Sequence, residues 1–514
     1  MRLSRRPHSF PPHNYLRRMS TVRKQTIISS LLIYIGFAFG ALNTYLFAKQ
    51  GLFTAEQYGL TRAFIVMGQF FFGFASLGLT PVIIKFFPYY RDNLPKQKDD
   101  LLTLCLLVAV GGFILTLCGG LFFESLVVKK FIEKSPLIVK YYYWIFPYTF
   151  FLLFFSLLEA YAWSIGKTII PNFLREAGFR IATTLLIIFF IFTGKNFDLF
   201  IKIFSFLYGF TVITIVAYLI WLKQFYFVLH ISRVTKKFWK KMLTLMSFLY
   251  GGALISVAAS SVDFLAIASF KGLSMGAVFD FSAYIANVIQ VPQRSLVSIA
   301  YSILSRAWKD KDFAAIDRLY KRSSLNLLLI SLLLFSIIWL NYDDAIATLG
   351  LNPIFAQGKW VVFLLAMRNI IDMGTGVNSQ IIGTSLFWRF EFFSGLVLLV
   401  LIIPLNVILV KHYGIIGSAW SNLLSYIVYN TVRIVFLKRK FNLQPFTWGT
   451  LRVIFFSGAC FFVTYYLFIG LSGWIGIMSR SIFFAGIFIT GVLYLHLTPD
   501  AAPVWATLRK RLRF

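Results

Sequence analysis

Long apolar runs recur down this chain at intervals too short to leave room for a soluble domain, and that spacing restricts the fold more than any single residue does. About fourteen runs are long enough to cross the ~30 Å hydrocarbon layer of a bilayer, which takes ~20 residues of helix. They fall at 27–48, 60–84, 101–123, 138–164, 172–193, 199–228, 243–269, 276–302, 323–340, 360–382, 388–410, 415–437, 450–470 and 476–497. Inside lipid each backbone N–H and C=O must be satisfied within its own segment, so runs of this length are read as helices. The expected fold is all-α and integral to the membrane, with two pseudosymmetric six-helix lobes followed by two C-terminal helices.

Composition agrees and removes several function classes. The chain is 59% hydrophobic and 13% charged, against about 45–50% and about 25% for a soluble domain. A net charge of +31 invites a nucleic-acid reading. Such binders gather Lys and Arg on a folded soluble module, and here these residues sit between apolar runs, so no nucleic-acid partner is expected. Cys105, Cys118 and Cys460 lie within apolar runs, and the five histidines show no ligand spacing, so neither disulfides nor a metal site is indicated. No Walker loop, zinc signature or large outer loop offers a catalytic centre, and no cofactor is expected beyond a coupling H+ or Na+.

Lys and Arg in the connections set the orientation. With the N-terminus inside, inner segments hold roughly three times as many as outer ones. Both termini are then cytoplasmic. The organisation read from this is a basic tail at 1–26, an N-lobe of six spans at 27–228, a basic connector at 229–242, a C-lobe of six spans at 243–440, two further spans within 441–498, and a basic tail at 499–514. The connector is amphipathic and reads as lying on the membrane surface. The lobes echo one another: EQYGLTRAFIVMGQF and GAVFDFSAYIANVIQ align so that Tyr58 matches Phe279, Gln69 matches Gln290 and Lys85 matches Arg306. A second echo matches Gly166, Phe173 and Gly178 with Gly383, Phe390 and Gly395. Both copies start on the same side, the parallel arrangement of transporters that rock two halves about a central site.

Polar residues inside apolar helices are costly and mark candidate sites. On one helix over 276–302, Asp280, Asn287 and Arg294 recur every seven residues with Tyr284 and Gln290 between them, forming one polar stripe. Arg294 has no acid within a turn of its own helix. Arg62 and Gln69 share a face of the second span, and Arg368 and Asp372 stand one turn apart on the tenth. Arg62, Gln69, Asn287, Gln290, Arg294 and Arg368 are the candidates for holding an anionic headgroup, since guanidinium donates paired hydrogen bonds to phosphate and keeps its charge when desolvated. Asp263, Asp280 and Asp372 are the candidates for cation coupling. For Asp263 a structural role fits equally well, and Arg368 and Asp372 can also pair to lock a helix contact. Glu159, Arg175, Glu176 and Arg180 are read as structural or interfacial.

The opening RKQTIISSLLIYIGFAFGALNTYLFAKQGLFTAEQYGLTRAF, with its E-x-Y-G turn, and FASLGLTPVIIKFFP after it carry a family resemblance. So does GAVFDFSAYIANVIQVPQRSLVSIAYSILSRAWKDKDFAAIDRLYKRSS at the start of the second half. These passages resemble the polysaccharide-transporter branch of the multidrug/oligosaccharidyl-lipid/polysaccharide exporter superfamily, the Wzx-type oligosaccharide flippases. Two departures stand out: the Gly usual after the aromatic is Asp280 in the second copy, and the N-terminal tail is long. The resemblance implies a bacterial inner-membrane protein that flips, by alternating access, a polyprenyl-diphosphate-linked oligosaccharide, an O-antigen, capsule or exopolysaccharide repeat unit. Membrane lipids are expected partners, as are a glycan polymerase or glycosyltransferases. The competing readings are a cation-coupled multidrug exporter of the same superfamily and a membrane glycan polymerase or ligase.

Overall fold

The computed structural model describes residues 35–500 together with Leu32. Apart from one isolated bridge between Lys49 and Leu351, its regular structure is helical. Among the described residues nine helices are long and apolar enough to cross a membrane, or ten when the bent pair Ala55–Ala75 and Leu79–Asn93 counts as one span. The chain is an all-helical, multi-pass membrane protein. The basic tails expected at 1–26 and 499–514 lie outside the described residues, save 499 and 500.

Where the helices depart from the expected spans, a local cause is visible. The second span bends by 50° at a break of three residues, where Gly78 takes φ +73°. The single helix expected over 276–302 is two, Leu273–Val288 and Val291–Lys309. Pro292 has no N–H to return to the Val288 carbonyl, so the hydrogen-bond ladder cannot run through. The spans expected at 388–410 and 415–437 are two helices within Trp388–Phe441, separated by a kink at Gly414 with φ 62° and ψ −139°, a conformation essentially reserved for glycine. The fifth span carries a π turn, Leu174–Gly178, between Ile169–Phe173 and Phe179–Phe192. The connector is not a separate surface helix: from Arg233 onward it is the start of a 38-residue helix, Arg233–Phe270. No Gly or Pro stands between its basic and apolar parts until Gly251, so nothing ends the helix at the expected boundary.

The chain divides into two compact units. Unit one comprises 35–47, Phe64–Lys129 and Ile138–Val257; unit two comprises Ala48–Ala63, Lys130–Leu137 and 258–500. The core of unit one is aliphatic and aromatic, with Phe86, Phe87, Tyr90, Phe155 and Tyr161 packed among Leu and Ile. Its buried carboxylate Glu159 is 3% exposed and meets Arg175 of the π turn at 2.9 Å. Asn43 ties two helices by donating to the Arg180 carbonyl and accepting from Thr184.

Unit two buries far more polar side chain. Asn369, Asn406, Asn430, Arg433, Ser418, Ser421 and Ser425 are all 3% exposed or less. Its last two helices are Trp448–Leu467, which starts with a Thr447/Thr450 capping box, and Gly473–Tyr494; both lean on Phe313–Thr348. There Arg480 pairs with Asp344 and donates to the Leu340 carbonyl at 3.0 Å, while Asn341 donates to Ser481 at 3.0 Å.

Candidate functional site

The nine candidate residues do not form one cluster. Arg62 and Asp280 meet in unit two: Arg62 Nη2 lies 2.6 Å from Asp280 Oδ1, and Tyr58 donates its hydroxyl to Asp280 Oδ2 at 3.0 Å. An expected anion binder and an expected cation binder thus satisfy each other. That corrects the stripe on the eighth span. Asp280 is spent on a cross-helix pair, and the break at Ile289–Gln290 puts Asn287 and Arg294 on different helices. Asn287 and Arg294 are exposed and Gln290, the residue before Val291–Lys309, is half-buried. Gln69 is exposed and belongs to unit one. Among the described residues no carboxylate forms an ion pair with Arg294, nor with Arg180 of unit one.

Arg368 does not pair with Asp372. Its guanidinium lies 3.8 Å from the centre of the Tyr426 ring, and its Nε is buried without a hydrogen-bond partner. Asp372 instead accepts from Asn430 at 3.2 Å. The Asn430 carbonyl oxygen in turn accepts from Thr375 and Asn378, each at 3.0 Å.

Asp263 sits in a cradle of neutral donors. Its Oδ1 accepts from Ser418 Oγ at 2.8 Å, from Asn422 Nδ2 at 2.9 Å and from Asn406 Nδ2. Asn406 also donates to Ser418 at 2.9 Å, while its own carbonyl oxygen is buried without a partner. No ion pair reaches Asp263 among the described residues. A buried carboxylate normally finds an opposite charge or is neutralised. An amide turned over about its last torsion presents oxygen in place of nitrogen. Asp263, Asn406, Ser418 and Asn422 can therefore supply several oxygen ligands to one hard cation. Among the described residues no group of three or more His, Cys, Asp or Glu gathers as a transition-metal site would require.

These partners lie on one helix face that the charged residues alone do not reveal. Ser418, Asn422, Tyr426, Asn430 and Arg433 are spaced four, four, four and three residues apart, one face of a helix. Reading along it, they meet Asp263, Arg368, Asp372 and finally Glu391. Arg433, 3% exposed, pairs with Glu391, donates to Ser394 at 3.2 Å and lies over Tyr429 at 3.8 Å. Glu391 also accepts from Ser379 at 2.7 Å. From Ser418 to Arg433 the face runs roughly 22 Å at 1.5 Å per residue, most of a bilayer's apolar thickness. The period of four in an otherwise apolar stretch was the signal for it.

No family profile and no curated protein matches the sequence. Solved structures do match. One is the lipid II flippase MurJ in its inward closed conformation, with TM-score 0.70 and 17% identity over 92% of this chain and 99% of that one. Another is an inward-facing multidrug resistance MATE family transporter of the MOP superfamily, with TM-score 0.59 and 15% identity over 80% and 96%. A third is a point mutant of the Vibrio cholerae MATE transporter VcmN, with TM-score 0.50 and 16% identity over 82% and 98%. At these identities the likeness establishes the fold alone, one shared with the flippase MurJ and with MATE transporters. The proteins that share it are described as a flippase and as transporters.

Proposed function

We propose that this protein is a cation-coupled flippase that carries a polyprenyl-diphosphate-linked oligosaccharide from the cytoplasmic to the outer leaflet by alternating access through fourteen membrane crossings. The observation that carries the reading is the fate of the arginines. Arg62, Arg175, Arg433 and Arg480 each meet a carboxylate, whereas Arg294 and Arg368 do not. Keeping Arg368 in an apolar helix with its Nε buried and no ion pair is costly unless it serves a ligand, Arg294 is exposed and free to meet one, and a diphosphate matches the planar fork of either.

The surroundings of each arginine support this role. Arg294 lies in the first turn of Val291–Lys309, where a cation works against the helix dipole but free N–H groups favour an anion. Arg368 rests over Tyr426, 3.8 Å from the ring centre, which restrains its fork. Asp263 takes the coupling cation: a hard ion entering the cradle replaces three neutral hydrogen bonds with oxygen ligation. A diphosphate headgroup gives affinity and register, and the sugars ride with it. The fold match to MurJ, described as a lipid II flippase, favours a lipid-linked glycan as cargo.

The fold match to MATE transporters favours a second reading, export of organic cations, for which unpaired arginines would be a handicap. Both are tested by surface-glycan export in cells depleted of the native protein. Arg294→Ala and Arg368→Ala should each reduce export about tenfold or more, the loss of one charge-assisted bidentate contact. Normal glycan export by both variants at equal membrane abundance would discard the flippase reading.

A further inference from the structure

Unit one carries a cavity that the transport reading does not use. It has a volume of about 440 Å³ and opens between Leu79–Asn93 and the first turns of Arg233–Phe270, lined by Lys85, Phe86, Tyr89, Phe238, Lys241 and Phe248. We propose that this cavity binds the headgroup and upper acyl chain of an anionic phospholipid, in the leaflet that meets the basic ends of these helices.

The walls are built before any ligand arrives. Phe238 packs against Phe86 and Tyr89 with ring centres 5.8 and 4.9 Å apart. Just below, the Tyr90 hydroxyl shares a 2.7 Å hydrogen bond with Thr235 and reaches Met242 Sδ at 3.7 Å. Those contacts clamp the two helices, so the cavity is not opened by a mobile segment. Its rim is apolar and exposed: Tyr89 is 46% exposed, the adjacent Trp239 49% and Phe248 80%. Exposed aromatics beside lysines are the pattern of a membrane–water boundary, where rings meet acyl chains and ammonium groups meet phosphates.

The cavity's lysines meet rings but no carboxylate: Lys241 lies 5.7 Å from the centre of the Phe238 ring. Lys85 and Lys241, with Arg233, Lys236, Lys237 and Lys240 on the same helix start, take part in no ion pair among the described residues. Nearby acids are already engaged. Asp92 pairs with Arg91, Asp99 accepts from the Leu101 N–H, and Asp100 accepts from Ser232 N–H and the Thr235 hydroxyl. Cations at the start of a helix oppose its dipole; of the five within the first nine residues, the single carboxylate Asp100 at that helix start offsets only part, and an external anion would answer the rest. A phosphodiester answers the lysines, and Phe248 with Leu245 offers its chain a surface. The volume suits a headgroup and the first methylenes.

The test uses the full-length protein in detergent, titrated with phosphatidylglycerol or phosphatidylcholine and read by native mass spectrometry. The protein should retain phosphatidylglycerol roughly tenfold more tightly than phosphatidylcholine. Lys85→Gln/Lys241→Gln, both exposed positions, should erase that preference, while Lys309→Gln/Lys311→Gln, an equal loss of exposed charge elsewhere, should leave it intact. Equal retention of the two lipids by the wild type, an intact preference in K85Q/K241Q, or equal losses in both double variants would overturn the proposal. So would displacement of the lipid by millimolar inorganic phosphate alone, which would make this a free-anion site.

Discussion

Two positions that the internal repeat makes equivalent, Gly59 and Asp280, do opposite jobs in unit two. Each follows an aromatic residue, Tyr58 or Phe279, near the start of its repeat. A Cβ on Gly59 would stand 2.2 Å from the Leu273 carbonyl oxygen, so the absence of a side chain is what lets Ala55–Ala75 approach the start of Leu273–Val288. Asp280, about two turns further along that second helix, receives Arg62 and Tyr58 from the first. The retained glycine brings the helices together, and the departure from glycine fastens them. Repetition alone supplies a scaffold; the place where the copies differ makes the bond between them specific.

The comparison is broken most sharply at the glycine. Gly59→Val forces a branched side chain against backbone that has no rotamer to yield, and it should cost about 3 kcal/mol or more. Apparent Tm in detergent would fall steeply or the protein would fail to accumulate; a Tm within a degree of wild type would show that the close approach is dispensable. Next in size is the pair. Asp280→Ala and Arg62→Ala should each destabilise by about 2 kcal/mol, below the about 3–5 kcal/mol of a fully buried pair because both side chains are partly exposed. The double variant should lose less than the sum of the two, with a coupling of about 1 kcal/mol or more in the double-mutant cycle. Strict additivity would mean that the two charges do not act on each other.

Much of this architecture could be read from the chain, for a simple reason. A spanning helix announces itself through local composition, so the apolar runs were visible and nearly every one is helical. Features that depend on partners distant in sequence were not. Arg62 finds Asp280, and Glu391 finds Arg433, across stretches that carry no local trace of the contact. The break before Pro292 was not legible because a proline does not by itself end a helix here: Pro88 and Pro404 stand inside theirs. The 418–433 face was missed for an energetic reason: Ser, Asn and Tyr enter lipid far more cheaply than charges and do not stand out in an apolar run. Asp263 was legible, being charged; its cradle of Asn406, Ser418 and Asn422 was not.

A last contrast, the smallest in stability terms, separates the two acids. Asp280 is held by a guanidinium, so a cation in solution should compete poorly for it. The hydrogen bonds to Asp263 come from hydroxyl and amide groups, each of which can rotate away or present oxygen. Asp263→Asn keeps an oxygen able to accept from Ser418 and Asn422, so without added sodium its stability should stay within about 1 kcal/mol of wild type. The difference should emerge on adding salt. Sodium chloride, compared with choline chloride at equal ionic strength, should raise the wild-type Tm as binding to the folded state alone requires, by about 2.7 kcal/mol of stabilisation at a hundredfold excess over Kd. Asp263→Asn should lose that response and Asp280→Asn should retain it. A response lost in both variants would mean that the two acids serve one site. A wild type indifferent to both sodium and pH would remove Asp263 from any coupling role and leave its cradle as a way of holding Asn406, Ser418 and Asn422 in register.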